Sequence, residues 1–88
     1  MRAVDEAAAS IYGPVVRTPL VRLHAPVSTP GGDPVEVYLK LECLQPIGSF
    51  KLRGAANAVR QLTRDQLKDG VWTVSAGNAA QGVAFTAR

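Results

Sequence analysis

The segment Val35–Ala76, VEVYLKLECLQPIGSFKLRGAANAVRQLTRDQLKDGVWTVSA, carries the pattern from which we predict the fold. Val35–Glu42 alternates apolar and polar side chains with a period of two, which predicts a β-strand. A helix is predicted from Ser49, because apolar residues then recur at helical spacing. Val71–Val74 is a short apolar run typical of a buried strand. We therefore predict a βαβ unit over roughly 35–76, with parallel strands and a right-handed connection.

The residues before this unit continue the alternation of helices and strands. Asp5 is placed to cap a helix that runs to Tyr12. Val15–Leu23 is predicted to be an edge or interrupted strand, since Pro19 cannot donate a ladder hydrogen bond. The segment Ser28–Pro34, rich in proline and glycine, predicts a turn between this strand and the next.

Two further helices are predicted in the second half of the chain. Thr63 and Gln66 have the spacing of a capping box, so a short helix is predicted to begin there and to end at Gly70. Residues 78–88 again show apolar side chains at helical spacing. Because the alternation stops while the sheet is still open, we expect residues 1–88 to be the N-terminal fragment of a larger α/β domain, with the last helix truncated.

Composition excludes several classes of protein. The 88 residues are 47% hydrophobic and 19% charged, which is typical of a globular domain and unlike a disordered or collagen-like chain. The net charge of +3 is spread along the sequence, so we expect solvated basic residues and no nucleic-acid partner. Cys43 is the only cysteine and is predicted to be a small buried residue. No membrane span or signal peptide is recognised, so we expect a cytoplasmic protein.

The first candidate for chemistry is Lys51, in the segment Gly48–Ala55. In the first turn of a helix, the positive end of the macrodipole disfavours a cation. Arg53 adds a second positive charge nearby, and we expect the amine to be shielded from water, so we predict a neutral amine, which is the form that makes Schiff bases. The alternative is an ordinary solvated lysine at the start of a helix.

The second candidate is the segment Ser75–Gly82, which leaves a predicted strand and enters a helix. Free backbone N–H groups at a helix start bind anions, and Gly77 lets a ligand approach the backbone, so a carboxylate or a phosphate would fit. It has neither a P-loop nor a dinucleotide-binding glycine pattern. The alternative is a tight turn capped by Ser75 or Asn78.

Topology relates the two candidates. Both precede helices that follow strands of one predicted parallel sheet, and open α/β folds bind ligands at that edge. We therefore expect the loops to face one cleft. His24 is predicted to be a surface or packing residue, and no cluster has the spacing of metal ligands.

These segments resemble a known family. Lys40–Ala55 is similar to the cofactor-lysine segment, and Ser75–Gly82 to the substrate loop, of pyridoxal-phosphate enzymes of fold type II, the tryptophan synthase β-like family. Arg17–Leu20 resembles the strand that precedes both. The resemblance implies an open, mostly parallel three-layer α/β/α sheet, incomplete in this chain, with pyridoxal 5′-phosphate as cofactor. It also implies an amino-acid substrate and a homo-oligomeric full-length enzyme.

The resemblance also implies roles for individual residues. Lys51 would bind the cofactor covalently and act as the base at Cα of the substrate. Phe50 would pack against the cofactor, and Asn78 would donate a hydrogen bond to its 3′ oxygen. The substrate carboxylate would be held by Ser75, Gly77, Asn78 and Ala79.

Departures from the family pattern indicate a branch. Related sulfhydrylases and cystathionine or threonine synthases usually have aspartate directly after the lysine, whereas this chain has Leu52. That favours threonine and serine dehydratases, which eliminate water and release a 2-oxo acid and ammonia. Ala76 stands where serine racemases carry a serine, which argues against racemisation. Ala79 stands where many threonine dehydratases have histidine, so the choice between threonine and serine stays open.

Two parts of the family's cofactor site lie beyond residue 88. They are the glycine-rich loop for the phosphate and the partner of the pyridine nitrogen. We therefore predict that the 88 residues alone are inactive, because an amine without an anchored cofactor lacks an attack geometry. The alternatives are a β-replacement synthase, such as a cysteine or cystathionine synthase, and a non-catalytic truncated remnant.

Overall fold

Helices and a two-stranded antiparallel ribbon make up the fold. The computed structural model describes residues 1–88. The elements are α1 (Arg2–Ile11), β1 (Leu20–Arg22), β2 (Tyr38–Lys40), a 3-10 turn (Glu42–Leu44), α2 (Lys51–Arg60), α3 (Arg64–Leu67) and α4 (Asn78–Thr86). None of the helices is both long and apolar enough to traverse a bilayer.

The ribbon is a long hairpin that lies in the chain between α1 and the other helices. Leu20 pairs with Lys40 and Arg22 with Tyr38, and a hydrogen bond from the Val35 amide to the Val27 carbonyl at 2.9 Å extends the pairing toward the turn. Residues 29–33 close that turn, as the sequence predicts. The strands are shorter than predicted, and both are exposed along their whole length. Both strands are therefore edges, with no neighbour beyond the pair.

The core lies where α2 packs between α1 and α4. Leu52 is completely buried, and Ala56 lies one turn further along the same face of α2. Ile11 at the end of α1 and Val15 complete the buried apolar cluster, against which Phe85 of α4 packs. The apolar stripe predicted for α2 is thus confirmed as the face that packs inward.

Close approach of α4 to α2 depends on Gly82. A Cβ atom at this position would lie 3.1 Å from Cβ of Ala55 and 3.3 Å from the carbonyl oxygen of Lys51. Real Cβ atoms rarely come so close to other atoms. Glycine therefore allows the two helices to touch, at the cost of some helix propensity.

The second strand of the predicted βαβ unit is not formed in this structure. Residues 71–75 have no regular secondary structure, and Trp72 and Val74 are 87% and 91% exposed. The sheet that does form is antiparallel. A strand of this apolar type is stable when both of its faces are covered and a neighbouring strand pairs with it, and no element within residues 1–88 provides either.

Local features of the chain agree with two of the predictions and differ from two others. The capping box of Thr63 and Gln66 is present at the start of α3. Asp5 does not cap a helix, because α1 already begins at Arg2. Cys43 is exposed rather than buried, since its 3-10 turn lies at the surface. His24 is exposed, as predicted.

Candidate active site

Lys51 is the first residue of α2 and lies at the surface. The turn before it bends at Gly48, whose φ of +71° favours glycine. Ser49 is buried, and its Oγ accepts a hydrogen bond from the Lys51 amide at 3.4 Å, but the N-cap of α2 is Phe50 and not Ser49, from which the helix was predicted to start. The Lys51 side chain is exposed, and its Nζ lies 5.0 Å from the ring centroid of Phe50. The prediction that this amine is shielded from water is therefore wrong for the 88 residues.

Arg53 does not act on Lys51 in the way the sequence suggests. Its guanidinium donates to both carboxylate oxygens of Glu42, at 2.7 and 2.8 Å, in a two-pronged ion pair. The positive charge of Arg53 is therefore largely offset by Glu42.

Glu42 is the centre of a polar cluster that sequence reasoning missed. We call it the Glu42 cluster. Thr18 Oγ1 and Gln45 Nε2 also donate to the carboxylate. Thr18 and Gln45 are themselves buried, and the Gln45 side-chain amide pairs with the backbone of Val16 through two hydrogen bonds of 2.8 and 3.0 Å. The only sequence signal was an acidic residue at a strand end followed by a basic residue in the next helix, a common pattern that does not by itself indicate contact.

The hydrogen bonds within the Glu42 cluster change the acidity of its charged members. They lower the pKa of Glu42 from 4.5 to about 2, mainly because Arg53 donates to it, while partial burial acts in the opposite direction. The pKa of Arg53 is raised in turn by Glu42. The pair is therefore ionised at neutral pH.

A pH dependence of stability follows for Glu42. Because its folded pKa is depressed, its ionisation stabilises the fold above pH 4.5, and this contribution is lost as the pH falls from about 4.5 to about 2. Glu42→Gln is expected to lower the free energy of unfolding at pH 7 by about 1–3 kcal/mol. The difference from wild type should shrink below pH 4.5 in urea titrations. Glu6→Gln removes an exposed ion pair with Arg2 and serves as control, expected to change little. A pH-independent difference at Glu42 would contradict this prediction.

The segment before α4 offers free backbone donors. Gly77 is the N-cap residue, and its amide donates to Ser75 Oγ at 3.2 Å. The amides of Asn78 and Ala79 make no hydrogen bond within the chain. Gly77 and the Asn78 side chain are exposed, whereas Ser75 and Ala79 are half-buried. Two free N–H groups at the positive end of a helix can hold an anion.

The packing of α4 on α2 brings the two candidates into the same region. Gly82 contacts the Lys51 carbonyl and Ala55, while Val83 and Thr86, further along α4, line clefts shared with Val59 of α2. The contacts thus advance in the same direction along both helices. Asn78 lies one turn before Gly82, about 6 Å along the axis. Lys51 and the amides at the start of α4 therefore lie toward the same end of the helix pair.

The residues at this end fit the chemistry of an aldehyde cofactor that carries an aromatic ring and of a substrate that carries a carboxylate. A primary amine, a 58% exposed phenyl ring at Phe50 and the free amides of α4 can respectively bond an aldehyde, cover an aromatic ring and bind a carboxylate. Arg53 is not available to an anion because Glu42 already occupies it.

Comparison with known proteins agrees with this chemistry. Residues 11–88 match the family described as pyridoxal-phosphate dependent enzyme. Over 86 residues the chain is 46% identical to a catabolic L-threonine dehydratase of Staphylococcus aureus strain USA300, and 45% identical to that of strain N315. Each alignment covers 97% of this chain and 24% of the relative.

A solved structure supports the fold. Maize serine racemase superposes with a TM-score of 0.82 at 33% identity, over 99% of this chain and 26% of that protein. The chain thus spans about a quarter of the length of the relatives it matches. The predictions of an incomplete fold type II domain and of pyridoxal phosphate as the family's cofactor are confirmed. This chain belongs to the family of pyridoxal-phosphate dependent enzymes.

Proposed function

We propose that the complete protein removes water from L-threonine or L-serine and releases a 2-oxo acid and ammonia. The 46% identity to an L-threonine dehydratase over nearly the whole chain supports this reaction. The observation that carries the proposal is the packing of Gly82 against the Lys51 carbonyl, which holds the lysine and the amides of α4 toward one end of the helix pair. A base and a carboxylate-binding site are the two groups that this reaction requires from the protein.

Each of the predicted site residues has a role in the proposal. Pyridoxal phosphate, when bound, supplies the electron sink for the pair of electrons left at Cα. Lys51 would hold the cofactor until the substrate's amino group displaces it, and the freed amine would then take the Cα proton and return it to the departing β-hydroxyl group, which leaves as water. Phe50 would cover the cofactor ring, and Asn78 would donate to its 3′ oxygen. The substrate carboxylate is oriented by the hydroxyl of Ser75 and the amides of Gly77, Asn78 and Ala79.

The proposal extends to the surroundings of these residues. Within a polypeptide of the relatives' length, residues 1–88 form the N-terminal part of the catalytic domain, and Val71–Val74 pairs as the second strand of the βαβ unit. Elements packed on the end of α2 then shield the Lys51 amine from water. We place the enzyme in the cytoplasm and expect it to be a homo-oligomer.

Burial of Leu52 bears on the second candidate function, β-replacement by a cysteine or cystathionine synthase. Those enzymes usually carry aspartate directly after the lysine. In this chain that position is completely buried among apolar side chains, where a carboxylate would be costly. The structure therefore favours elimination over replacement. A non-catalytic remnant is the third alternative, and the assay below separates all three.

Product analysis tests the proposed reaction. The complete protein is incubated with pyridoxal phosphate and L-threonine or L-serine, and released 2-oxo acid is measured. Parallel reactions use O-acetylserine with sulfide, or serine with homocysteine. We expect 2-oxo acid from threonine or serine, and none from residues 1–88 alone. A new thioether or thiol amino acid as the main product would identify a synthase, and no product from any mixture would identify a remnant.

A further inference from the structure

The Glu42 cluster lies outside the candidate active site and joins three separate parts of the chain. Thr18 belongs to the segment before β1, Gln45 follows the 3-10 turn, and Arg53 belongs to the first turn of α2. All three side chains donate to the carboxylate of Glu42. Arg53 also donates to the carbonyl of Val16 at 3.4 Å. These bonds attach the start of α2 to the segment that precedes the hairpin.

The hydrogen bonds of the Glu42 cluster restrict the rotation of the Arg53 guanidinium as well as its position. A guanidinium that donates through two N–H groups to two carboxylate oxygens is held in one plane, which a single hydrogen bond does not achieve. The carboxylate is held in turn by donors on residues that are 3% and 4% exposed, Gln45 and Thr18. No buried polar side-chain atom in the structure lacks a hydrogen-bond partner. The cluster is thus a fully bonded anchor.

Arg53 and Lys51 leave α2 in nearly opposite directions. Two residues along an α-helix correspond to a rotation of about 200° around its axis. The anchor therefore acts on the side of the first helical turn that faces away from the Lys51 amine, while Leu52 between them enters the core. Because the backbone of a helical turn is rigid, holding Arg53 in place also fixes the direction in which the Lys51 side chain leaves the helix.

We propose that Glu42 and Arg53 are positioning residues that set the direction in which Lys51 presents its amine. This inference rests on the proposed function, because positioning of Lys51 by Glu42 and Arg53 affects the reaction only if Lys51 binds the cofactor. The pair touches neither cofactor nor substrate and acts through the backbone of the first turn of α2. A misplacement of a reacting group by about 1 Å can reduce a rate by about 100-fold.

The test uses the complete protein and two variants of the pair. Glu42→Gln keeps the shape of the side chain and removes its charge, and Arg53→Lys keeps the charge but cannot donate two parallel bonds. Thr63→Ala is the matched control, because it removes the cap of α3 without touching α2. All proteins are studied well below their unfolding temperatures, so that each is folded.

The first measurement does not depend on turnover. Pyridoxal phosphate is added to cofactor-free protein, borohydride is added after short times, and mass spectrometry of peptides gives the ratio of adduct at Lys51 to adduct at Lys68. Lys68 is exposed at the end of α3 and provides an internal standard. We expect both variants to lower this ratio about tenfold or more and kcat by about 10–100-fold, with a smaller change in KM. Thr63→Ala should match wild type.

The outcomes separate this inference from the function on which it rests. Wild-type ratios and kcat in both variants would overturn the positioning role, and so would an equal decrease in Thr63→Ala, which would indicate a general loss of stability. A smaller loss in Arg53→Lys than in Glu42→Gln would agree with the role, since the charge is kept. Absence of adduct at Lys51 in wild type would refute the proposed function itself, and the positioning role with it.

Discussion

Replacing Lys51 with alanine is expected to abolish release of 2-oxo acid by the complete protein, with kcat lowered by about a thousandfold or more. The proposed reaction requires this amine twice, first to hold the cofactor and then to take the Cα proton. Alanine can do neither. The expected loss is therefore larger than for any other single side chain in the site.

Three measurements check the prediction for Lys51. Borohydride trapping should give a cofactor adduct at Lys51 in wild type. In Lys51→Ala, no other lysine should carry a comparable amount of adduct. Lys51→Arg should be as inactive as alanine, because arginine keeps the charge but stays protonated. Lys68→Ala removes an exposed lysine on the separate α3 helix and should retain full activity. Activity of Lys51→Ala within tenfold of wild type would remove this residue from the mechanism.

Replacing Gly82 with valine is expected to have the largest effect on stability among the changes considered. A Cβ atom there would lie 3.3 Å from the Lys51 carbonyl oxygen, a backbone atom that cannot rotate away, and valine adds two methyl groups beyond it. Overpacking of this kind costs about 1–3 kcal/mol, and the upper part of that range is expected because the contact is with backbone. The separation of α4 from α2 should also displace the amides at Asn78 and Ala79.

Gly54 provides a matched control for Gly82. It lies in α2, and a Cβ atom at this position would meet no other atom within 4 Å. Gly54→Val should therefore leave the midpoint of urea unfolding of residues 1–88 nearly unchanged, while Gly82→Val lowers it. Equal midpoints for the two variants would show that the close contact between α2 and α4 does not contribute to stability.

Local sequence patterns predicted the elements whose causes are themselves local. The capping box at Thr63 depends on a side chain three residues away, and the turn at residues 29–33 depends on its proline and its two glycines. The apolar stripe of α2 likewise depends on helical spacing alone. In contrast, the residues Val71–Val74 have the pattern of a strand but form no strand in this structure. Strand formation depends on neighbouring strands, which a short stretch of sequence does not contain.

The candidate site shows the same division between local and distant causes. The motif around Lys51 and the turn before Asn78 were recognisable as short strings of residues, and they sufficed to indicate the family and its cofactor. The partner of Arg53 was not recognisable, since Glu42 lies eleven residues away and Thr18 a further 24 residues from Glu42. Sequence reasoning placed the charge of Arg53 beside Lys51, whereas the fold directs it to Glu42.

The amino-acid sequence by itself determined which residues could do chemistry, because side-chain type, capping and helical or strand periodicity are properties of neighbouring residues. The tertiary structure decided how these residues are presented. It exposed Lys51, turned Arg53 toward Glu42 and brought the start of α4 beside α2 through Gly82. Those outcomes depend on packing and on hydrogen bonds between residues far apart in the chain, and such contacts exist only once the elements have docked.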